Sequence, residues 1–303
     1  MKCAAIDIGT NTILLAVVER DKGVFRDIVD MSIIVRLGEN LVNSGRLSGP
    51  AMSRTMDGLR RYLDITASHD VERLFCVGTA ALREASNSGE FLACVRGAFG
   101  FDVEIISARD EAYYTYLSIR DDNTVRSEAM TIVDIGGGST EVIRGTCRGF
   151  AGYTSLPMGS VRLTDAFVFH DPPLKEEMES VVSYIRERLG SVIYPEESVL
   201  LGTGGTVTNI AAMVAGIEKY DKEIVHGLEV ELGQLNDLIA SLAELTSSER
   251  RCVRGMEPGR EDIIVQGAVI LKEVMEQGGF GRCMVSAAGV RYGVLYERLG
   301  LGM

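Results

Sequence analysis

Two carboxylates, Asp134 and Glu141, bracket the run Gly136-Gly137-Gly138-Ser139-Thr140. Glycines lack Cβ atoms, so their backbone N–H groups can come close to an anion, and Ser139 and Thr140 add hydroxyl donors. Acids beside such a loop suit a divalent cation that accompanies a phosphate. Strands must hold these groups. Thr131-Ile132-Val133 before the loop and Val142-Ile143 after it are β-formers. The order is strand, acid, glycine turn, hydroxyls, acid, strand: a hairpin wrapped around a phosphate. No Lys follows the glycines and no helix opens there, so this is not a Walker-type loop. Taken alone, a glycine-rich hairpin with two solvated acids would read the same way.

The N-terminus repeats the pattern. Residues Ala4 to Val18 read A-A-I-D-I-G-T-N-T-I-L-L-A-V-V. Asp7 corresponds to Asp134 and Gly9 to Gly136, while Thr10 and Thr12 supply hydroxyls. Two such hairpins in one chain predict a duplicated α/β fold, with two lobes facing across a cleft. Phosphates would lie between the hairpins, and a divalent cation near Asp7 and Asp134.

The length of 303 residues suits two domains. A hydrophobic content of 46% with 24% charged residues fits a soluble, well-packed protein. The net charge of −12 argues against nonspecific nucleic-acid binding, so a polyanionic substrate would need local positive charge or metal. Cys3, Cys76, Cys94, Cys147, Cys252 and Cys283 show no C-x-x-C spacing and read as reduced, mostly buried thiols. His69, His170 and His226 are too dispersed for a metal cluster. No apolar run approaches the ~20 residues of a membrane span, and no signal-peptide pattern precedes Asp7, so the expected location is cytoplasmic.

Ser48-Gly49-Pro50 reads as a helix start, with Met52, Met56, Leu59 and Leu63 as its core stripe. Val71 to Val77 reads as a buried strand leading to Ala81-Leu82-Arg83-Glu84. Ser107 with Asp110 resembles a capping box at the start of a helix running to about Ile119. That gives Asp110 a structural job and leaves Glu111 free to face the cleft. Asp121-Asp122-Asn123 marks the expected boundary, with one domain at 1–124 and a second at 125–303; a last helix from about Gly293 is a candidate to pack back on the first. In the second lobe, Leu174 to Leu189, Gly233 to Leu245 and Gly267 to Glu276 read as helices. Gly202-Thr203-Gly204-Gly205-Thr206 follows a short strand and precedes a helix from Val207, which again places N–H donors at a helix N-terminus.

Together these stretches resemble the exopolyphosphatase / guanosine pentaphosphate phosphohydrolase (Ppx/GppA) phosphatase family, in its short two-domain form. The matching segments are D-I-G-T-N-T (Asp7 to Thr12), A-L-R-E-A-S-N (Ala81 to Asn87), S-A-R-D-E-A (Ser107 to Ala112) and D-I-G-G-G-S-T-E (Asp134 to Glu141). They continue through S-L-P-M-G-S-V-R-L-T (Ser155 to Thr164), G-T-G-G-T (Gly202 to Thr206), R-E-D-I-I from Arg260, and V-S-A-A-G-V-R-Y-G (Val285 to Gly293). The family commonly has Ser where Thr10 and Thr12 stand, and an acid where Tyr292 stands. Its S-G-x-E-E-A segment reads S-A-R-D-E-A here.

The resemblance implies two ribonuclease H-like domains of the actin, sugar-kinase and Hsp70 superfamily, with the active site between them. It implies Mg²⁺-assisted hydrolysis of a terminal phosphoanhydride, with inorganic polyphosphate or guanosine pentaphosphate (pppGpp) as substrate, and a homodimer. Glu111 would be the general base. Asp134 and Glu141, helped by Asp7, would hold the metal. Gly9, Thr10, Asn11, Thr12, Gly136, Gly137, Gly138 and Ser139 would bind phosphates, with Arg83 as the side-chain cation and Gly204, Gly205 and Thr206 at the far end. Other readings of the same residues are a small-molecule kinase, a nucleotide-dependent filament or chaperone, and a binder without turnover. His226 and Arg291 read as structural residues.

Overall fold

The computed structural model describes residues 1–21, 24–120, 129–218 and 221–300. The chain forms two compact units: Met1–Ser118 together with the chain from Val290, and Ile119–Gly289. The expected boundary near residue 124 falls outside the described residues.

The first unit starts with three strands, β1 (Lys2–Ile8), β2 (Thr12–Asp21) and β3 (Val24–Ile34). Then come α1 (Leu41–Ser44), α2 (Gly49–Ser68), β4 (Arg73–Gly78), α3 (Ala80–Glu84), α4 (Ser88–Phe99), β5 (Glu104–Ile105) and α5 (Ala108–Arg120). The sheet order is β3-β2-β1-β4-β5. β1 pairs antiparallel with β2 and parallel with β4. Ala4, Ile6 and Ile8 of β1 join Ile13, Leu15 and Val17 of β2 in one buried cluster. Each large aliphatic side chain removed from water in this way contributes about 1.5–3 kcal/mol.

Ser48 caps α2 as expected, its hydroxyl accepting from Ala51 N at 3.2 Å. The buried stripe is rotated from the expected one. Ala51, Thr55, Gly58, Leu59, Tyr62 and Thr66 are buried, while Met52, Met56 and Leu63 flank them half-buried. Small residues allow closer approach to the sheet, and the Tyr62 hydroxyl donates to Ile13 O at 2.9 Å. That bond turns the tyrosine inward and moves the methionines to the edges.

The second unit contains β6 (Met130–Ile135), β7 (Thr140–Thr146), β8 (Gly149–Leu156), α6 (Ser160–Phe167), α7 (Lys175–Leu189), β9 (Val199–Thr203) and α8 (Gly204–Val214). It continues with α9 (Lys222–Val225), β10 (Glu229–Glu231), α10 (Leu232–Ala243), α11 (Ser247–Arg250), α12 (Ile264–Gly278) and β11 (Arg282–Val285). The sheet order is β10-β11-β9-β6-β7-β8. Read from β8, this is the order of the first unit with β10 added at the edge. Pairing directions match too: β6 is antiparallel to β7 and parallel to β9. This strand-by-strand correspondence is the duplicated α/β architecture that the two hairpins predict.

α12 is apolar on most of its circumference and is buried accordingly, with Ile264, Val265, Val269, Ile270, Leu271 and Val274 in the core. Its buried Glu273 is held by Arg186 Nε at 2.6 Å and Lys272 Nζ at 3.1 Å, the pairing that a buried charge requires. The final helix, α13 (Val290–Arg298), belongs to the first unit. Arg291 Nη2 grips both oxygens of Asp30 on β3 at 2.8 and 2.9 Å, a structural role as expected. Tyr292 donates to Asp27 and Asp30 at 2.8 Å each.

Cys3, Cys76 and Cys283 are buried and Cys94, Cys147 and Cys252 exposed, all six unpaired. The expectation of mostly buried thiols therefore holds for the strand cysteines only. Cys94 lies on the outer face of α4, and Cys147 in the turn after β7. Among the described residues, no helix is long and apolar enough to cross a membrane.

Candidate functional site

In the second unit, β6 and β7 place Asp134 and Glu141 directly opposite each other in antiparallel register. The turn between them closes through Gly136 N donating to Ser139 O at 3.0 Å. Glu141 is 2% exposed, and its Oε1 accepts from Ser155 Oγ at 2.8 Å. Ser155 is the cross-strand partner of Glu141 on β8, so strand register alone brings the two together.

The loop carbonyls all turn toward α6. Gly136 O accepts from Ser160 N at 3.0 Å, Gly137 O from Arg162 N at 3.0 Å, and Gly138 O from Arg162 Nε at 2.7 Å. In a trans peptide the N–H points opposite to the carbonyl. The N–H groups of Gly137, Gly138 and Ser139 therefore point away from α6, on the side where an anion would be received. Among the described residues, no protein acceptor takes the N–H of Gly137 or Gly138. Gly159 makes this packing possible, because a Cβ there would stand 2.5 Å from the carbonyl of Gly137.

Asp134 lies against Gly204. That glycine has φ +89°, and a Cβ on it would come 2.7 Å from Asp134 Oδ1. Any side chain at 204 would cover the carboxylate. α8 starts here, at Gly204 rather than at Val207, so its first-turn N–H groups belong to Gly204, Gly205 and Thr206. The buried guanidinium of Arg260 rests on Gly205, where a Cβ would have no room, and pairs with Glu257.

In the first unit, β1 and β2 form the corresponding hairpin, closed by Gly9 N donating to Thr12 O at 3.0 Å. Its carbonyls are engaged in the same way: Thr10 O accepts from Gly38 N, and Asn11 O from Val35 N and Arg36 N, all within 2.9 Å. Asp7 is buried in β1 opposite Leu14. Burial, with a smaller contribution from Asp7, pushes the neighbouring Cys76 thiol well above its usual range. Asn11 is 5% exposed, and its Oδ1 lacks a hydrogen-bond partner among the described residues.

Arg83 and Glu111 meet in this unit. Ser107 Oγ accepts from Asp110 N at 3.1 Å and starts α5, which puts Glu111 in the first turn. Glu111 is not free, as the spacing had suggested. Its Oε2 accepts from Arg83 Nη1 at 2.6 Å, and the same nitrogen donates to Ile106 O at 3.0 Å. Both side chains are largely buried.

Asp134 and Glu141 are hard oxygen donors, adjacent and on one hairpin. Mg²⁺ is commonly bound by one or two carboxylates plus water and substrate phosphates, and this pair fits that mode. Among the described residues, no group of three or more His, Cys, Asp or Glu is placed to hold a metal. In the first unit, the orphaned Asn11 side-chain amide would, turned over, offer its N–H to a phosphate oxygen. His226, by contrast, caps a loop: its Nδ1 accepts from Ala287 N at 3.2 Å.

Arg162, Gly159 and Arg260 carry parts of this arrangement that motif reading did not single out. Each was visible only as a letter within a matching segment, because its role depends on contacts with residues distant in sequence.

Comparison with known proteins agrees with the fold. The family model described as "Ppx/GppA phosphatase family" matches residues 16–301. A Mycobacterium tuberculosis protein named exopolyphosphatase 2 is 29% identical, over 99% of both chains. The crystal structure of an Aquifex aeolicus Ppx/GppA family member superposes with a TM-score of 0.83 at 32% identity, covering 99% of this chain and 97% of the other. A Cytophaga hutchinsonii exopolyphosphatase structure gives 0.90 at 26% identity, covering 99% and 98%.

Proposed function

The chain belongs to the Ppx/GppA phosphatase family, and from that premise we propose that it is an exopolyphosphatase, removing the terminal phosphate of inorganic polyphosphate. One observation carries the reading: the Asp134–Glu141 pair flanks a glycine loop whose N–H groups face away from the carbonyl-binding helix α6. Acids for a cation and amides for phosphate oxygens then stand on one hairpin. The names of the Mycobacterium tuberculosis and Cytophaga hutchinsonii relatives favour polyphosphate.

In the proposed reaction, water oxygen attacks the terminal phosphorus and the bridging P–O bond breaks. Orthophosphate leaves, with a chain shorter by one unit. Glu111 orients the water and accepts its proton. Backbone N–H groups of Gly137, Gly138 and Ser139, and of Thr10 and Asn11, hold phosphate oxygens as charge redistributes; those of Gly136 and Gly9, expected to join them, are instead spent closing their own turns. Asp134 and Glu141, with Asp7, would hold Mg²⁺, which neutralises phosphate charge. Arg83 adds a guanidinium, and the start of α8 at Gly204, Gly205 and Thr206 offers further N–H donors.

Phosphate release from short polyphosphate, long polyphosphate and pppGpp, at matched terminal-phosphate concentration and with Mg²⁺, tests the proposal. Release mainly from polyphosphate supports it. Release mainly from pppGpp moves the protein to the nucleotide branch of its family, and no release from any of the three contradicts both. We carry the homodimer over as a proposal as well; a sedimenting mass near twice 32.9 kDa would support it.

A further inference from the structure

We infer that Arg83 is a positioning residue for Glu111, and that its planar guanidinium ties the base to the terminal phosphate instead of serving as a simple positive charge. The inference rests on the proposed hydrolase reading.

A guanidinium presents five N–H donors in one plane. In Arg83, Nη1 is committed to protein: one bond goes to Ile106 O at 3.0 Å and one to Glu111 Oε2 at 2.6 Å. Ile106 lies next to Ser107, the residue that caps α5, so the backbone leading into the Glu111 helix also anchors the arginine. Among the described residues, Nε and Nη2 make no hydrogen bond to protein, and the side chain is 21% exposed. That edge is the geometry that grips two oxygens of one phosphate. The guanidinium can therefore hold Glu111 with one nitrogen and a phosphate with the other two, at a spacing set by its rigid plane. Side-chain freedom of a largely buried carboxylate is removed before the substrate arrives, which is the pre-organisation that a base in an in-line attack needs.

A lysine provides the same charge but no planar fork. The two roles thus separate by substitution. If Arg83 only attracts phosphate, Arg83→Lys keeps most activity. If it bridges, Arg83→Lys behaves like Arg83→Gln.

The experiment is a double-mutant cycle on polyphosphate turnover, with Arg83→Lys, Arg83→Gln, Glu111→Gln and the two combinations, each checked by thermal melting. The expected result is a fall in kcat of roughly tenfold or more for Arg83→Lys, and less than about twofold further change in kcat from Arg83→Lys in the Glu111→Gln background. Binding of inorganic tripolyphosphate to Glu111→Gln, with and without Arg83→Lys, supplies a readout independent of turnover; a weakening of roughly threefold or more, the fork lost and the charge kept, supports the inference, and unchanged affinity overturns it. Turnover restored by Lys to near the wild-type value overturns it, as does a KM rise of roughly tenfold with kcat retained. A wild-type protein that releases no phosphate would remove the hydrolase reading and this inference together, whereas an active wild type with an active lysine variant removes only the inference.

Discussion

The hairpins β1–β2 and β6–β7 share a backbone but differ in chemistry. Both close through the same bond, from the first loop glycine to the carbonyl three residues on, at 3.0 Å. Both hand their loop carbonyls to neighbouring segments, through backbone N–H groups except at Gly138 O, which takes Arg162 Nε. Yet Asp134 faces Glu141, while Asp7 faces Leu14. The tip of one is Gly136-Gly137-Gly138-Ser139, and of the other Gly9-Thr10-Asn11-Thr12. Duplication thus gives the frame, and the two copies carry different groups on it. The second unit offers paired acids and bare amides. The first offers one acid, side-chain donors, and the Arg83–Glu111 pair on its own helices.

Swapping the acid breaks this comparison most severely. Glu141→Leu makes the second hairpin resemble the first, and it should lower phosphate release about 10³-fold with little loss of melting temperature, because a buried charge is removed along with its function. The reverse change, Leu14→Glu, should give no gain in turnover and should destabilise the protein by about 1–3 kcal/mol, since it sets two carboxylates side by side. Both effects are read by steady-state kinetics and chemical denaturation.

Gly204→Ala should come next. Its Cβ would press on Asp134 Oδ1 at 2.7 Å in a backbone conformation unfavourable for alanine. Turnover should fall about 10²-fold, with an increased Mg²⁺ requirement in a metal titration. Ser155→Ala should be mildest: Glu141 loses one hydrogen bond, costing about 1 kcal/mol and less than about tenfold in activity. An effect of Ser155→Ala as large as that of Glu141→Leu would mean that Ser155 itself contacts substrate.

Much of this contrast was legible before any coordinates. Glycines, acids and β-branched flanks are local signals, and they located both hairpins and the start of α5. What escaped depends on pairing across the chain. Strand register sets Ser155 opposite Glu141. The Arg83–Glu111 bond joins residues on separate helices. Arg162 reaches back to Gly138 O from α6, which no spacing rule announces. On α2, hydropathy favours Met52 and Met56, whereas packing favours the small residues beside them. The cysteines differ for a related reason: residue type predicts burial only where a strand or inward helix face supplies it.

The most direct measurement is Mg²⁺-dependent orthophosphate release from polyphosphate by the wild-type protein and by Glu111→Gln, with tripolyphosphate binding measured in parallel. The account predicts steady release by the wild type that stops on chelation, a loss of about 10²–10⁴-fold in the variant, and retained binding. Equal release by the two proteins, or release by the wild type that survives removal of divalent cations, would contradict it.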